Sequence, residues 1–184
     1  MNSILAFIDS FRKNKKKKQL VNTNKLSGKF VVEHLDSNGN LKKKYEFNND
    51  IVNVGKNDIL GVYFHSDTQT ATGSWYIGLI SNASYSGLAA GDTMSSHSGW
   101  TEFVGYSQST RVAWGPGAAA SQSITNSTPA QFDINASGTV KGIFTTNGSA
   151  KSGTTGTLWA TALFSADVPV TSGDQLKVTY TVNA

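Results

Sequence analysis

The 184 residues carry sixteen Lys/Arg against twelve Asp/Glu, with nine Phe, six Tyr, four Trp and no Cys. A chain of this length has room for one domain with a real core, and the lack of thiols excludes disulfide frameworks, zinc ribbons, iron–sulfur sites and thiol nucleophiles. The net charge of +4 hides a division: residues 1–44 hold eleven Lys/Arg against Asp9, Glu33 and Asp36, whereas residues 45–184 hold five against nine acids.

Residues 1–20, MNSILAFIDSFRKNKKKKQL, set Ile4, Phe7, Ile8 and Phe11 on one side at helical spacing, with Ser3 as an N-cap. Arg12, Lys13, Lys15, Lys16, Lys17 and Lys18 follow, where cations suit the negative end of a helix dipole. In a secretory signal the basic residues precede the apolar run, and here they follow it. No stretch reaches the ~18 apolar residues of a membrane span, so neither a signal peptide nor a span is expected. The pattern predicts a basic N-terminal arm over residues 1–27 with a short amphipathic helix, marginal alone in water and ordered on a partner. A solvated tail, docking on protein, and contact with nucleic acid or a membrane surface all fit its composition. Binding to phosphates would be independent of sequence and strongly salt-dependent.

From Gly28 the period changes to two, predicting one β domain over residues 28–184. Residues 29–35 and 41–47 read as a hairpin around Asp36-Ser37-Asn38-Gly39-Asn40. Further strands are expected at 51–54, 59–64, 74–80, 101–107, 111–114, 130–134, 139–145, 158–164 and 175–182, separated by Gly, Asn, Ser and Asp. A single helical turn is the most that residues 57–60 offer. Residues 115–120 read as a loop, and 148–156 as a mobile hairpin tip. So many short strands predict an all-β fold, an antiparallel β-sandwich or small barrel of jelly-roll or Ig-like type. Trp100, Trp159 and Phe164 are expected in its core; a carbohydrate-stacking platform is the alternative for the two tryptophans.

Chemistry is sparse. Ser96, His97 and Asp92 make a catalytic triad only on paper, since no G-x-S-x-G elbow accompanies them. Asp92, His97 and Glu102 lack any metal-ligand spacing, and residues 36–40 lack the remaining ligands of a calcium loop. No phosphate-binding glycine motif occurs. A non-enzymatic protein without metal or cofactor is expected.

Several stretches resemble a type of small virion protein of tailed bacteriophages: IVNVGKNDIL (51–60), WYIGLI (75–80), AGDTM (90–94), SHSGWTE (96–102), GTLWATALF (156–164) and VTSGDQLKVTY (170–180). The resemblance covers residues 48–184 and leaves out the arm. It implies a virion structural protein, made in the host cytoplasm and incorporated in the particle, most simply a capsid decoration or cement protein or other auxiliary head protein. Its expected partners are the major capsid protein or another virion protein and further copies of itself, with the arm as anchor and nucleic acid as an additional contact. A tail- or fibre-associated receptor- or glycan-binding module and a head–tail junction component are the alternatives.

Overall fold

A computed structural model describes residues 26–184, so the arm residues Ile4, Phe7, Ile8, Phe11, Arg12, Lys13 and Lys15–Lys18, and the helix expected there, lie outside the described residues. The described chain runs β1 (Ser27–Leu35), β2 (Leu41–Asn48), β3 (Asp50–Ile51), α1 (Asn53–Phe64), β4 (Tyr76–Ser81), β5 (Glu102–Phe103) and β6 (Val112–Ala113). It continues with β7 (Ser123–Thr125), β8 (Ala130–Asp133), β9 (Gly138–Thr146), β10 (Leu158–Val170) and β11 (Gln175–Asn183). Two antiparallel sheets pack as a sandwich rather than closing into a barrel. The first has the order β2-β1-β11, with β7 and β8 paired to successive stretches of the far side of β11. The second has the order β3-β10-β9-β4, with β5 and β6 both along β4.

Alternation explains the first sheet. Phe30 and Val32 of β1, and Leu176, Val178, Tyr180 and Val182 of β11, turn inward while their neighbours face water. Phe30 stacks on Tyr180 with ring centroids 4.2 Å apart. The second sheet is buried on both faces, which is why β4 reads as a nearly continuous apolar run and β9 is buried throughout its second half. Its inner face gives Ile77, Leu79, Val140 and Ile143 to the main core. Its outer face carries Ile80, Phe144 and Leu158, covered by Val52, Met94 and Trp100.

Where the structure departs from the sequence expectation, the reasons are physical. Strands expected at 51–54 and 59–64 are replaced by the two-residue β3 and the twelve-residue α1. Two glycines, Val54, Ile59, Val62 and two aromatics give this segment poor intrinsic helix propensity. Packing overrides it: α1 closes on β10 so tightly that a Cβ at Gly55 would collide with the backbone of Trp159. No side chain caps its start, but the Asn53 N–H donates to the Ala90 carbonyl at 2.8 Å. The strand expected at 101–107 contracts to β5, and that at 111–114 to β6.

Strand β7 was absent from the sequence expectation. Its approach is a tight turn whose corner residues, Ser121 and Gln122, have φ of 51° and 57°, closed by reciprocal Ala120–Ser123 backbone bonds. Neither corner carries the Asn or Gly that marks such turns. β10 runs beyond 164 across a bulge: Leu163 faces Gly142 and Val168 faces Val140, so three extra residues loop outward. Trp100 and Phe164 lie in the core as expected. Trp159 is only half-buried, and it lines a cleft.

Candidate functional site

A cleft of about 290 Å³ opens at one end of the sandwich. Its floor is aromatic and comes from both sheets: Trp159 is the second residue of β10, Tyr180 lies near the end of β11, and Trp75 and Trp114 flank β4 and β6. The rings meet mostly edge to face, with Trp75–Trp159 centroids 6.4 Å apart, Trp159–Tyr180 6.3 Å and Trp114–Tyr180 5.2 Å. Such packing holds the rings in fixed orientations. The Trp114 indole N–H donates to the Tyr180 carbonyl at 3.1 Å, tying two walls together.

Helix α1 forms the roof, contributing Asp58, Ile59, Val62 and Tyr63, and the following loop adds Gln69 and Thr70. Asn147 holds that loop, donating to the Thr70 hydroxyl at 3.0 Å. Ile124, Val182 and Thr145 complete the lining. The Thr145 hydroxyl is buried without a hydrogen-bond partner among the described residues. Burial raises the Asp58 carboxyl above its ordinary range, and the nearby Asp67 carboxylate adds to the effect. The lining is thus mostly aliphatic and aromatic, with a single carboxylate at its edge.

The apolar surface continues outside the cleft. Leu60, Tyr63 and Phe64 are 54%, 80% and 78% exposed, and Tyr63 and Phe64 contact each other edge to face at 5.0 Å. Three large apolar side chains grouped on one helix end, beside an aromatic cleft, mark an interaction surface. The arm joins at this same end, because Ser27 pairs with Asn183 and Gly28 with Val182, itself in the cleft wall.

The catalytic and metal arrangements considered from sequence are not brought together. His97 stacks on Trp100 at 4.0 Å, and its Nδ1 lies 3.1 Å from the Trp100 carbonyl. Asp92 instead accepts from the Trp100 indole N–H at 3.0 Å and the Ala89 N–H at 2.9 Å. Among the described residues no group of three His, Asp or Glu could hold a metal. Asp36 spends its carboxylate on the N–H groups of Asn38 and Asn40, both at 2.9 Å, and on the Asn40 side chain. No described helix is long and apolar enough to cross a membrane.

Two polar clusters escaped the sequence reading because their members are far apart in the chain. Arg111 reaches Glu102 through Nε and Nη2, at 2.8–3.2 Å. It also donates to the carbonyls of Gly148 and Gly153 at 2.8 and 3.0 Å. Glu102 accepts the Ser152 N–H at 2.7 Å, and Lys151 donates to the Tyr106 carbonyl at 2.6 Å while lying 3.8 Å over its ring. The segment 148–156, expected as a mobile tip, is therefore laced to the body. In the second cluster, Asp174 meets His34 at 2.8 Å, Lys42 at 2.9 Å and the Thr171 N–H at 2.9 Å. Burial alone would raise its carboxyl, but these partners outweigh it and hold Asp174 well below the ordinary carboxylate range.

No protein-family model matches the chain, and no curated protein is significantly similar to it.

Proposed function

We propose that the protein is a structural component of a tailed-phage particle, a decoration or cement protein of the head anchored through its N-terminal arm. The observation that carries this reading is the gathering of binding-type surface at one end of a rigid sandwich. The aromatic cleft, the exposed Leu60, Tyr63 and Phe64, and the junction with the arm all lie there. The sequence resemblance over residues 48–184 supports the virion assignment, and the division of charge supports an anchoring arm on a mildly acidic body.

An arm of this composition adds contact area to the neighbour it binds. Repetition over a symmetric shell then turns one weak attachment into a lasting one. The apolar stripe Ile4, Phe7, Ile8 and Phe11 supplies the specific contact, and Arg12 to Lys18 supply a long-range, salt-sensitive attraction.

The test is incorporation of full-length variants into particles that lack the protein. Phe7→Ala with Phe11→Ala should weaken incorporation at all salt concentrations, whereas Lys15–Lys18 changed to Gln should weaken it mainly at low salt. Normal incorporation of both variants would refute the anchor.

The tryptophan cleft favours a second reading, a receptor- or glycan-binding module of a tail or fibre. Its aliphatic wall of Ile59, Val62, Ile124 and Val182 speaks for an apolar occupant over a sugar.

A further inference from the structure

The aromatic cleft and the exposed end of α1 together ask for an apolar occupant of limited size with a cationic neighbour. A volume of about 290 Å³ sits at the bottom of the ~300–1,000 Å³ range of small-molecule sites, suiting a few large side chains better than an extended ligand. Asp58 stands at the cleft edge with its carboxyl raised by burial and by Asp67; Asp67 meets His65 at 2.9 Å, whereas Asp58 has no salt-bridge partner among the described residues. A basic group arriving there would relieve Asp58.

One segment of this chain has that composition. Ile4, Phe7, Ile8 and Phe11 recur at helical spacing, and Arg12 to Lys18 follow directly. Residues 1–25 hold seven Lys/Arg against Asp9, and residues 26–184 hold nine against eleven acids, so the two parts attract. The described chain begins beside the cleft, since Gly28 is the strand partner of the cleft residue Val182. The fifteen residues from Phe11 to Leu26 can span up to ~50 Å when extended, more than this separation requires. A tether of that length gives the chain's own arm an effective concentration on the order of millimolar at the cleft. A neighbouring copy's arm would have to compete with that.

We propose that in the free chain the segment from Ile4 to Phe11 docks on the chain's own aromatic cleft and covers Leu60, Tyr63 and Phe64, with the following lysines beside Asp58 and Asp67. The anchoring segment is then stored on the body, and the apolar patch is shielded from self-association until the chain meets the particle. This contact belongs to the free chain and is tested apart from the virion role.

The lack of any cysteine allows a clean cross-linking test on the full-length protein. Phe7→Cys is combined with Tyr63→Cys, whose site is 80% exposed and so tolerates change without loss of fold. The control combines Phe7→Cys with Leu41→Cys; Leu41 is 58% exposed and starts β2, at the opposite end of β1 from Ser27. Under mild oxidation at micromolar protein, the Tyr63→Cys pair should form a disulfide within one chain at least tenfold faster than the control. Equal rates at the two sites, or links mainly between two chains, would overturn the proposal.

Discussion

The Arg111–Glu102 pair offers the sharpest test of how the body is held together. The two side chains are 1% and 4% exposed, and the guanidinium donates to the carboxylate from Nε and Nη2 and to the carbonyls of Gly148 and Gly153 from Nη1 and Nη2. Glu102→Gln preserves shape but leaves a buried cation without its countercharge, which costs about 3–5 kcal/mol. Arg111→Met leaves a buried carboxylate and also strips two carbonyls of their donor, each worth about 1–3 kcal/mol. With a urea m-value of about 2 kcal/mol/M, Glu102→Gln should lower the unfolding midpoint by roughly 1.5–2.5 M. Tryptophan fluorescence would follow the transition. The double variant should fall short of the sum by about 1–3 kcal/mol, because each single change orphans a group that the double change removes. Trypsin provides a local readout: Lys151 is held against Tyr106 and its loop by Glu102, so cleavage after Lys151 should accelerate in Glu102→Gln. A loss below about 1 kcal/mol, strictly additive single changes, or unchanged cleavage would refute the role assigned to this cluster.

Gly55→Ala should destabilise the fold although alanine is worth about 1 kcal/mol over glycine in a helix, because the added methyl meets the Trp159 backbone; a rise in Tm would contradict the close packing of α1 on β10. Trp100→Ala should cost about 3–5 kcal/mol, since Trp100 is buried against Phe144 and carries the Asp92 bond, while Trp159→Ala, half-buried at the cleft, should cost clearly less; equal losses in urea titrations would contradict that difference. The Asp174 carboxyl is held below its unfolded value of about 3.9, so its contribution is fully present above pH ~4 and is lost as the pH falls from there. Asp174→Asn should therefore be less stable than the natural chain at pH 7, with the gap narrowing on acidification below pH ~4. Asp58 has the opposite sign: with no cation beside it, a raised carboxyl opposes folding at neutral pH, so in a chain with Lys15–Lys18 changed to Gln, Asp58→Asn should raise Tm at pH 7 and lose that advantage below pH ~4.

Local patterns carried the sandwich. The alternation in β1, β2 and β11 was visible because each strand has one face in the main core, and Gly39, with φ of 82°, marked the first hairpin turn. What the sequence concealed depends on contacts distant along the chain. α1 is helical because Gly55 fits the backbone of Trp159, more than a hundred residues away, and the same residues read locally as strand. The cleft was hidden with it: Trp75 and Trp159 were recognisable as large aromatics, but only a helical roof leaves them lining a cavity. Arg111 and Asp174 looked like strand and turn residues, and their partners Gly148, Gly153, His34 and Lys42 are 37 to 140 positions away. No local spacing encodes such clusters.

The virion assignment is tested most directly by counting copies of the chain in purified particles. Quantitative mass spectrometry against the major capsid protein should give a fixed stoichiometric ratio, as expected of a head decoration protein. Absence from the particles, or a copy number of only a few tens as in a tail or fibre, would contradict it.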